Sequence, residues 1–231
     1  RKTLAGSRAR HALAAVRAQP GAKMDCASWI ARYFRPPVPF RPCPDHADCL
    51  PRKPVTPRFV HLRLHSEYSI TDGIVRIDDA VGRAAKDGMP ALALTDLANL
   101  FGMVKFYKAA RKKGVKPILG CDLYITNEAE RDKPHRLVVL AQSREGYLRL
   151  SELLTRAWLE NQHRGHAEVR KEWFAAGGNG AGTGGLIALS GALDGDVGAA
   201  LLQDNAPQAA RLAADWDKLF PGRYYLELQR S

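Results

Sequence analysis

The stretch FVHLRLHSEYSITDG (residues 59–73), followed after one helical run by ALALTDLANLFGMVKFYKAARKKGVKPILGCDLYI (residues 91–125), decides how the chain is read. Short apolar runs end in His61, His65, Asp72, Asp96 and Asp122. Phe59 to Leu64 alternates as a strand. Ile77, Ala80, Val81, Ala84 and Ala85 recur at helical spacing, with Asp78 and Asp79 at the positive end of the dipole and Gly88 as the stop. Ala91 to Thr95 reads as a buried strand, Asn99 to Lys113 as an amphipathic helix with a basic last turn, and Pro117 to Ile125 as the next strand. This βαβαβ order predicts right-handed crossovers and a parallel sheet. Imidazoles and carboxylates at successive strand ends stand where barrels of alternating strands and helices build their sites. Such groups can hold divalent metals that activate water against a phosphoester. Each can equally be a turn or cap residue: Asp72-Gly73 suits a turn, and Asp96 suits the cap of a helix beginning near Asn99.

Downstream, Leu137 to Ala141 is a further strand and Tyr147 to Leu159 a long helix. Residues 160–185, with the run GGNGAGTGG, read as a flexible loop. Leu186 to Ser190 is a strand, Asp196 to Leu202 and Ala206 to Phe220 are helices, and Tyr224 to Leu228 is a last strand. A barrel stopping there is expected to be a fragment, incomplete at its C-terminus.

The net charge of +11 on 231 residues would suggest a polyanion partner if it were spread over the fold. It is not. Residues 1–58 hold 12 Lys+Arg against 3 Asp+Glu, and the remainder 23 against 21, so the balance is +9 in the leader and +2 in the body. The leader, residues 1–57, is basic and proline-rich between Pro36 and Pro57, and reads as disordered. Cys26, Cys43, His46 and Cys49 lie in it at spacings irregular for a zinc cluster. No apolar run approaches the roughly 18 residues a membrane span needs, and no signal-like arrangement is present. A cytoplasmic protein with reduced thiols is expected.

Residues 58–231 also resemble a family: the polymerase-and-histidinol-phosphatase (PHP) domain at the N-terminus of bacterial replicative DNA polymerase III alpha subunits. The resemblance rests on His61-Leu-Arg-Leu-His65-Ser-Glu-Tyr-Ser69, Asp72-Gly73, Leu94-Thr-Asp96-Leu-Ala-Asn-Leu-Phe-Gly102 and Lys116-Pro-Ile-Leu-Gly-Cys-Asp122. It continues through Gly146-Tyr147, Leu189-Ser-Gly191, Gly195-Asp-Val-Gly198 and Tyr225-Leu-Glu-Leu228. It implies an α/β fold, a distorted (β/α)7 barrel with a metal cluster at the strand C-termini. Metal-bearing relatives carry His-x-His on the first strand, where this chain has Arg63 and His65. Leu97 stands where they have a second imidazole, Asp122 where they have glutamate, and Arg136 where a histidine opens the next strand. The resemblance therefore implies vestigial ligands (His61, His65, Asp72, Asp96, Asp122) with Arg63, Leu97 and Arg136 replacing donors.

Two always-charged guanidinium groups where cations should sit predict salt bridges to Asp72, Asp96 or Asp122 in place of metal. The function implied is that of a scaffold with no catalytic residue of its own. It would belong to a DNA-directed DNA polymerase, a nucleotidyltransferase whose Mg2+ and palm carboxylates lie outside the chain. The implied partners are the proofreading exonuclease subunit, other replicase subunits and, through the polymerase body, DNA. The alternative is a metal-dependent phosphoesterase, similar to histidinol phosphatase or to a 3'-5' exonuclease.

Overall fold

The computed structural model describes residues 59–175 and 182–228. The leader, its cysteines, and most of the glycine run lie outside the described residues. Within them the elements run α1 (Ile77–Lys86), β1 (Ala91–Leu94), α2 (Met103–Lys112), β2 (Lys116–Ile125), β3 (His135–Ala141) and α3 (Arg144–Glu160), then β4 (Gln162–His163), β5 (His166–Val169), β6 (Leu186–Leu189), α4 (Asp196–Leu202), α5 (Ala206–Leu219) and β7 (Tyr224–Tyr225).

The seven strands form one mixed sheet in the order β4-β5-β2-β3-β6-β7, with β1 beside the first half of β2. β1, β5 and β2 are mutually parallel where they pair, as are β6 and β7. β3 runs antiparallel to both β2 and β6. The parallel pairing expected of the βαβαβ stretch is present between β1 and β2, while the sheet as a whole is mixed, and the reason is legible. The link between β2 and β3, residues 126–134, is too short for a crossover helix and can only reverse the chain. Phe59 to Leu64, expected as a strand, is extended but outside the ladder. It is tied to β1 by Ala93 N–H donating to His61 O and Thr95 N–H donating to Leu64 O, both 2.9 Å. The last strand is shorter than predicted, ending at Tyr225.

Alternation along the strands sorts the core. Ala91 and Ala93, Ile118, Val138 and Leu140, and Ile187 and Leu189 line the inner face. Leu137, Val139, Cys121, Leu123 and Ile125 face α3, α4 and α5, whose Leu150, Leu153, Val197, Leu201, Trp216 and Phe220 cover them. Leu92 and Leu94 face α1 and α2. Each fully buried large apolar side chain contributes about 1.5–3 kcal/mol. Val60 and Leu62 from one end of the chain and Tyr225 from the other pack on the same inner cluster, so the sheet curls until its ends approach.

One irregularity places the site. Between Ala93 and Thr95 β1 advances two residues while the facing segment advances three, from His61 to Leu64. The extra residue is a bulge that inverts the inside–outside alternation. Val60 and Leu62 therefore face inward while Leu64 packs outward against the α1–α2 cluster.

The residues following form a closed loop, with Glu67 N–H donating to Val75 O at 2.9 Å. At Gly73 an added Cβ would lie 1.8 Å from Ser66 O, a backbone atom that already accepts from Ser69 N–H. Gly73→Ala is expected to lower stability by about 1–3 kcal/mol through overpacking, read as a fall in the thermal midpoint.

Candidate functional site

Asp122 lies on the inner face of β2, in register with Val138 of β3. Its backbone is fixed by the segment leaving β1: Asp122 N–H donates to Asp96 O at 3.1 Å and Ala98 N–H donates to Asp122 O at 2.9 Å. Two residues along, Tyr124 pairs with Arg136. Because β3 alternates, Arg136 shares the face of Val138 and Leu140, while His135 shares that of Leu137. The bulge at the first segment does the same for Arg63 and His65.

These side chains converge on one carboxylate. Arg63 Nη2 donates to Asp122 Oδ2 at 2.6 Å. Arg136 grips both oxygens, Nε to Oδ1 and Nη2 to Oδ2, each at 3.0 Å. His65 Nε2 lies 3.1 Å from Oδ2 of the same group, and its Nδ1 lies 2.9 Å from Asp72 Oδ2. Arg136 Nη2 approaches Asp72 at 3.6 Å, and Arg63 Nη1 reaches Glu227 at 3.3 Å. Asp122 is wholly buried. With His65 protonated, the cluster holds three cations and three carboxylates.

Burial alone would raise the Asp122 carboxyl, but the hydrogen bonds from His65 and Arg136 and the two guanidinium charges outweigh it and hold it well below the usual carboxylate range. Burial likewise opposes protonation of His65, yet the bonds and charges of Asp122 and Asp72 lift it above its ordinary 6.5. Asp72 is lowered despite partial burial by Ser69, His65 and Arg136. Ser69 Oγ donates to Asp72 Oδ1 at 2.7 Å while accepting from Leu97 N–H at 2.9 Å.

Not every expected residue joins. His61 is exposed on the outer side of the bulge, its ring edge-on to Phe59 at 4.6 Å. It lines a surface cavity of about 440 Å3 with Leu64, Ala80 and Leu92. It was expected among the vestigial ligands; the bulge turns it outward. Asp96 stands close by but pairs with neither arginine. Its Oδ1 accepts from Ser66 N–H at 2.6 Å and from Ser66 Oγ at 2.9 Å, which ties down the turn Glu67–Ser69. Burial pushes its carboxyl upward, with those bonds partly opposing. Nor does Asp96 cap α2, which begins at Met103 behind Gly102. Leu97 is buried and contributes its backbone, bridged to Asp122.

Sequence reasoning missed Glu227, although it lies within the Tyr225-Leu-Glu-Leu228 stretch. It also missed a second polar row on the same face. Tyr124 stands between the Arg136 guanidinium, 5.1 Å from its ring, and the stacked His166 ring at 4.4 Å. Glu168, in register with Tyr124, is fully buried in the region read as a loop. Its Oε2 accepts from Arg131 Nη1 at 2.7 Å, and Arg131 also donates to Asn161 Oδ1 at 3.1 Å. The only sequence signal was the alternation of Ala167 and Val169 around it. Cys121 points away from the site; burial pushes its thiol well up, and its Sγ donates to Asp96 O at 3.2 Å.

The donor set does not fit a divalent ion. The Asp122 oxygens are already taken by guanidinium N–H groups, which donate and cannot ligate. Among the described residues no three His, Cys, Asp or Glu side chains are gathered as around a metal.

This fold and polar centre define a class. The model of the PHP domain matches residues 61–231, and the chain belongs to that family. Among named proteins it is similar to DNA polymerase III subunit alpha of Neisseria meningitidis, 47% identical over 175 residues that make up 75% of this chain and 15% of that protein. The subunit of Pseudomonas aeruginosa is 41% identical over 177 residues, 77% of this chain and 15% of that one. The subunit of Escherichia coli K12 is 41% identical over 175 residues, 76% and 15%. The chain thus spans about 15% of the length of the curated relatives it matches.

Two outcomes follow from the cluster. Asp122→Asn removes the buried anion that two largely buried guanidinium groups share and is expected to cost about 3–5 kcal/mol, measured by denaturant unfolding. The depressed Asp122 contributes stability that is present above the unfolded carboxylate value near 3.8 and lost as pH falls through the native one. The raised His65 contributes stability fully present below 6.5 and lost as pH climbs through its native value. Unfolding free energy should therefore decline as pH rises from 6.5 through that native value in the wild type and level off above it, and His65→Gln should flatten the decline.

Proposed function

We propose that the chain is the N-terminal PHP domain of a bacterial DNA polymerase III alpha subunit, and that the domain acts there as a scaffold whose metal centre has become an ion-pair network. The observation that carries this reading is the grip of Arg63 and Arg136 on the oxygens of Asp122. Similarity to alpha subunits over three quarters of the chain supports the parent assignment. The parent is a DNA-directed DNA polymerase, adding deoxynucleotides with Mg2+ held by carboxylates outside these residues. Its partners are the proofreading exonuclease subunit, which docks on this domain, and the other replicase subunits. DNA is held by the polymerase body. The place of action is the cytoplasm; among the described residues no helix is long and apolar enough to cross a membrane. The packing of Val60, Leu62 and Tyr225 on one inner cluster supports a distorted (β/α)7 barrel as the complete architecture.

A fixed guanidinium does part of what an ion does. It neutralises buried carboxylates and holds strand ends together, but it offers no exchangeable site for water and lowers no water pKa. The mouth keeps its shape and loses its nucleophile.

The test is metal analysis of the full chain after equilibration with Mn2+ or Zn2+, alongside hydrolysis of p-nitrophenyl phosphate and a labelled oligonucleotide. No stoichiometric metal and no turnover above the blank are expected, and Arg63→His alone should change neither, because Leu97 still offers no donor. One metal per chain, with a chelator-sensitive activity that Asp122→Asn abolishes, would return the phosphoesterase reading.

A further inference from the structure

The groove of about 440 Å3 that His61 borders has an apolar lining from Leu64, Ala80, Met89 and Leu92. Its second wall is one face of α1 and its cap, where Asp79, Arg83 and Asp87 recur four apart and are exposed. Arg83 Nε donates to Asp87 Oδ2 at 3.0 Å, while Asp79 enters no ion pair among the described residues. The border thus carries two carboxylates against one guanidinium. The volume is in the range that holds a small ligand or a few residues of peptide.

The chain itself supplies a matching segment. Residues 50–58 read LPRKPVTPR, with three basic residues and no acidic one. Pro51, Pro54 and Pro57 stand three apart, a spacing that aligns them along one side of a polyproline II helix. Ridges of this kind dock in apolar grooves at a low ordering cost, and flanking charges choose the groove. The tether is short. Pro54 is seven steps along the chain from His61, a reach of up to about 23 Å. At an effective concentration of about 1 mM, a segment with an intrinsic Kd of about 0.1 mM is bound about nine-tenths of the time. A second copy of the chain would have to compete with that from a far lower concentration.

We propose that residues 51–57, which lie outside the described residues, occupy this groove in cis, with the proline ridge on Leu64, Ala80 and Met89 and with Arg52 and Lys53 toward Asp79 and Asp87. Tether, proline period and charge all point to the same occupant. A nucleic acid fits less well, since its phosphates would meet the two carboxylates of the border.

The test is the rate of maleimide labelling of Val75→Cys, a position that lines the groove, in the full chain. Peptide mass spectrometry separates this adduct from those on the chain's own cysteines. Lys218→Cys, exposed on α5, is the control. Two changes in the leader are compared, Arg52→Glu with Lys53→Glu, and Pro51→Gly with Pro54→Gly and Pro57→Gly. Neither alters the body of the fold. Each is expected to speed labelling of Val75→Cys about tenfold and to leave Lys218→Cys unchanged. Raised salt should speed it in the unaltered leader, and Asp79→Lys added to the charge-reversed leader should restore protection. Failure of either leader change to raise the rate overturns the proposal, as does an equal rise at Lys218→Cys, which would report loosening of the whole fold. Protection that grows with protein concentration assigns the groove to a second copy and overturns the occupant in cis.

Discussion

The carboxylate of Asp122 sits out of water between two guanidinium groups, and the inner end of the sheet is arranged around keeping it there. A lone ionised carboxyl in that position would cost several kcal/mol, and so would either arginine without it. The requirement reaches outward. Arg63 faces inward because of a one-residue bulge, Arg136 because β3 begins where it does, and His65 because Asp72 holds its other nitrogen. Asp72 is in turn steadied by Ser69, which also takes the Leu97 N–H. Remove the central anion and each of these placements loses its reason.

Such an arrangement is weak evidence for extra stability, because desolvation offsets much of the attraction. Its value lies in uniqueness. A bidentate guanidinium accepts one orientation of a carboxylate. That grip by Arg136, with the single bond from Arg63 to the same Asp, fixes the relative positions of the first segment, β2 and β3.

Much of the fold was legible. Helical spacing in α1, α3 and α5 and the apolar runs of β1, β2 and β6 located these elements to within a few residues. The reversal at β3, which the βαβαβ pattern before it did not address, was readable from the short polar link at residues 126–134. Of the site, Arg63 and Arg136 pair with Asp122, one of the partners the charge argument offered, and His65 and Asp72 join them. His61 did not, because a bulge leaves no mark in a sequence that alternates cleanly through it. Asp96 was spent on Ser66, a partnership invisible without the loop that brings them together. Glu168 was hidden in a stretch whose glycines and charges masked a short strand, and nothing near Arg131 in sequence pointed to it.

The contact between Arg63 and Glu227 joins residues 164 positions apart. Closing so long a span is entropically slow and must await the distant partner. During synthesis the opening segment leaves the ribosome long before Glu227 is made, so one of its guanidinium groups stays only half neutralised through most of translation. Final seating of the first segment is therefore a late event. A ribosome-bound chain halted before Glu227 should hold β1, β2 and β3 together while its leading edge still breathes.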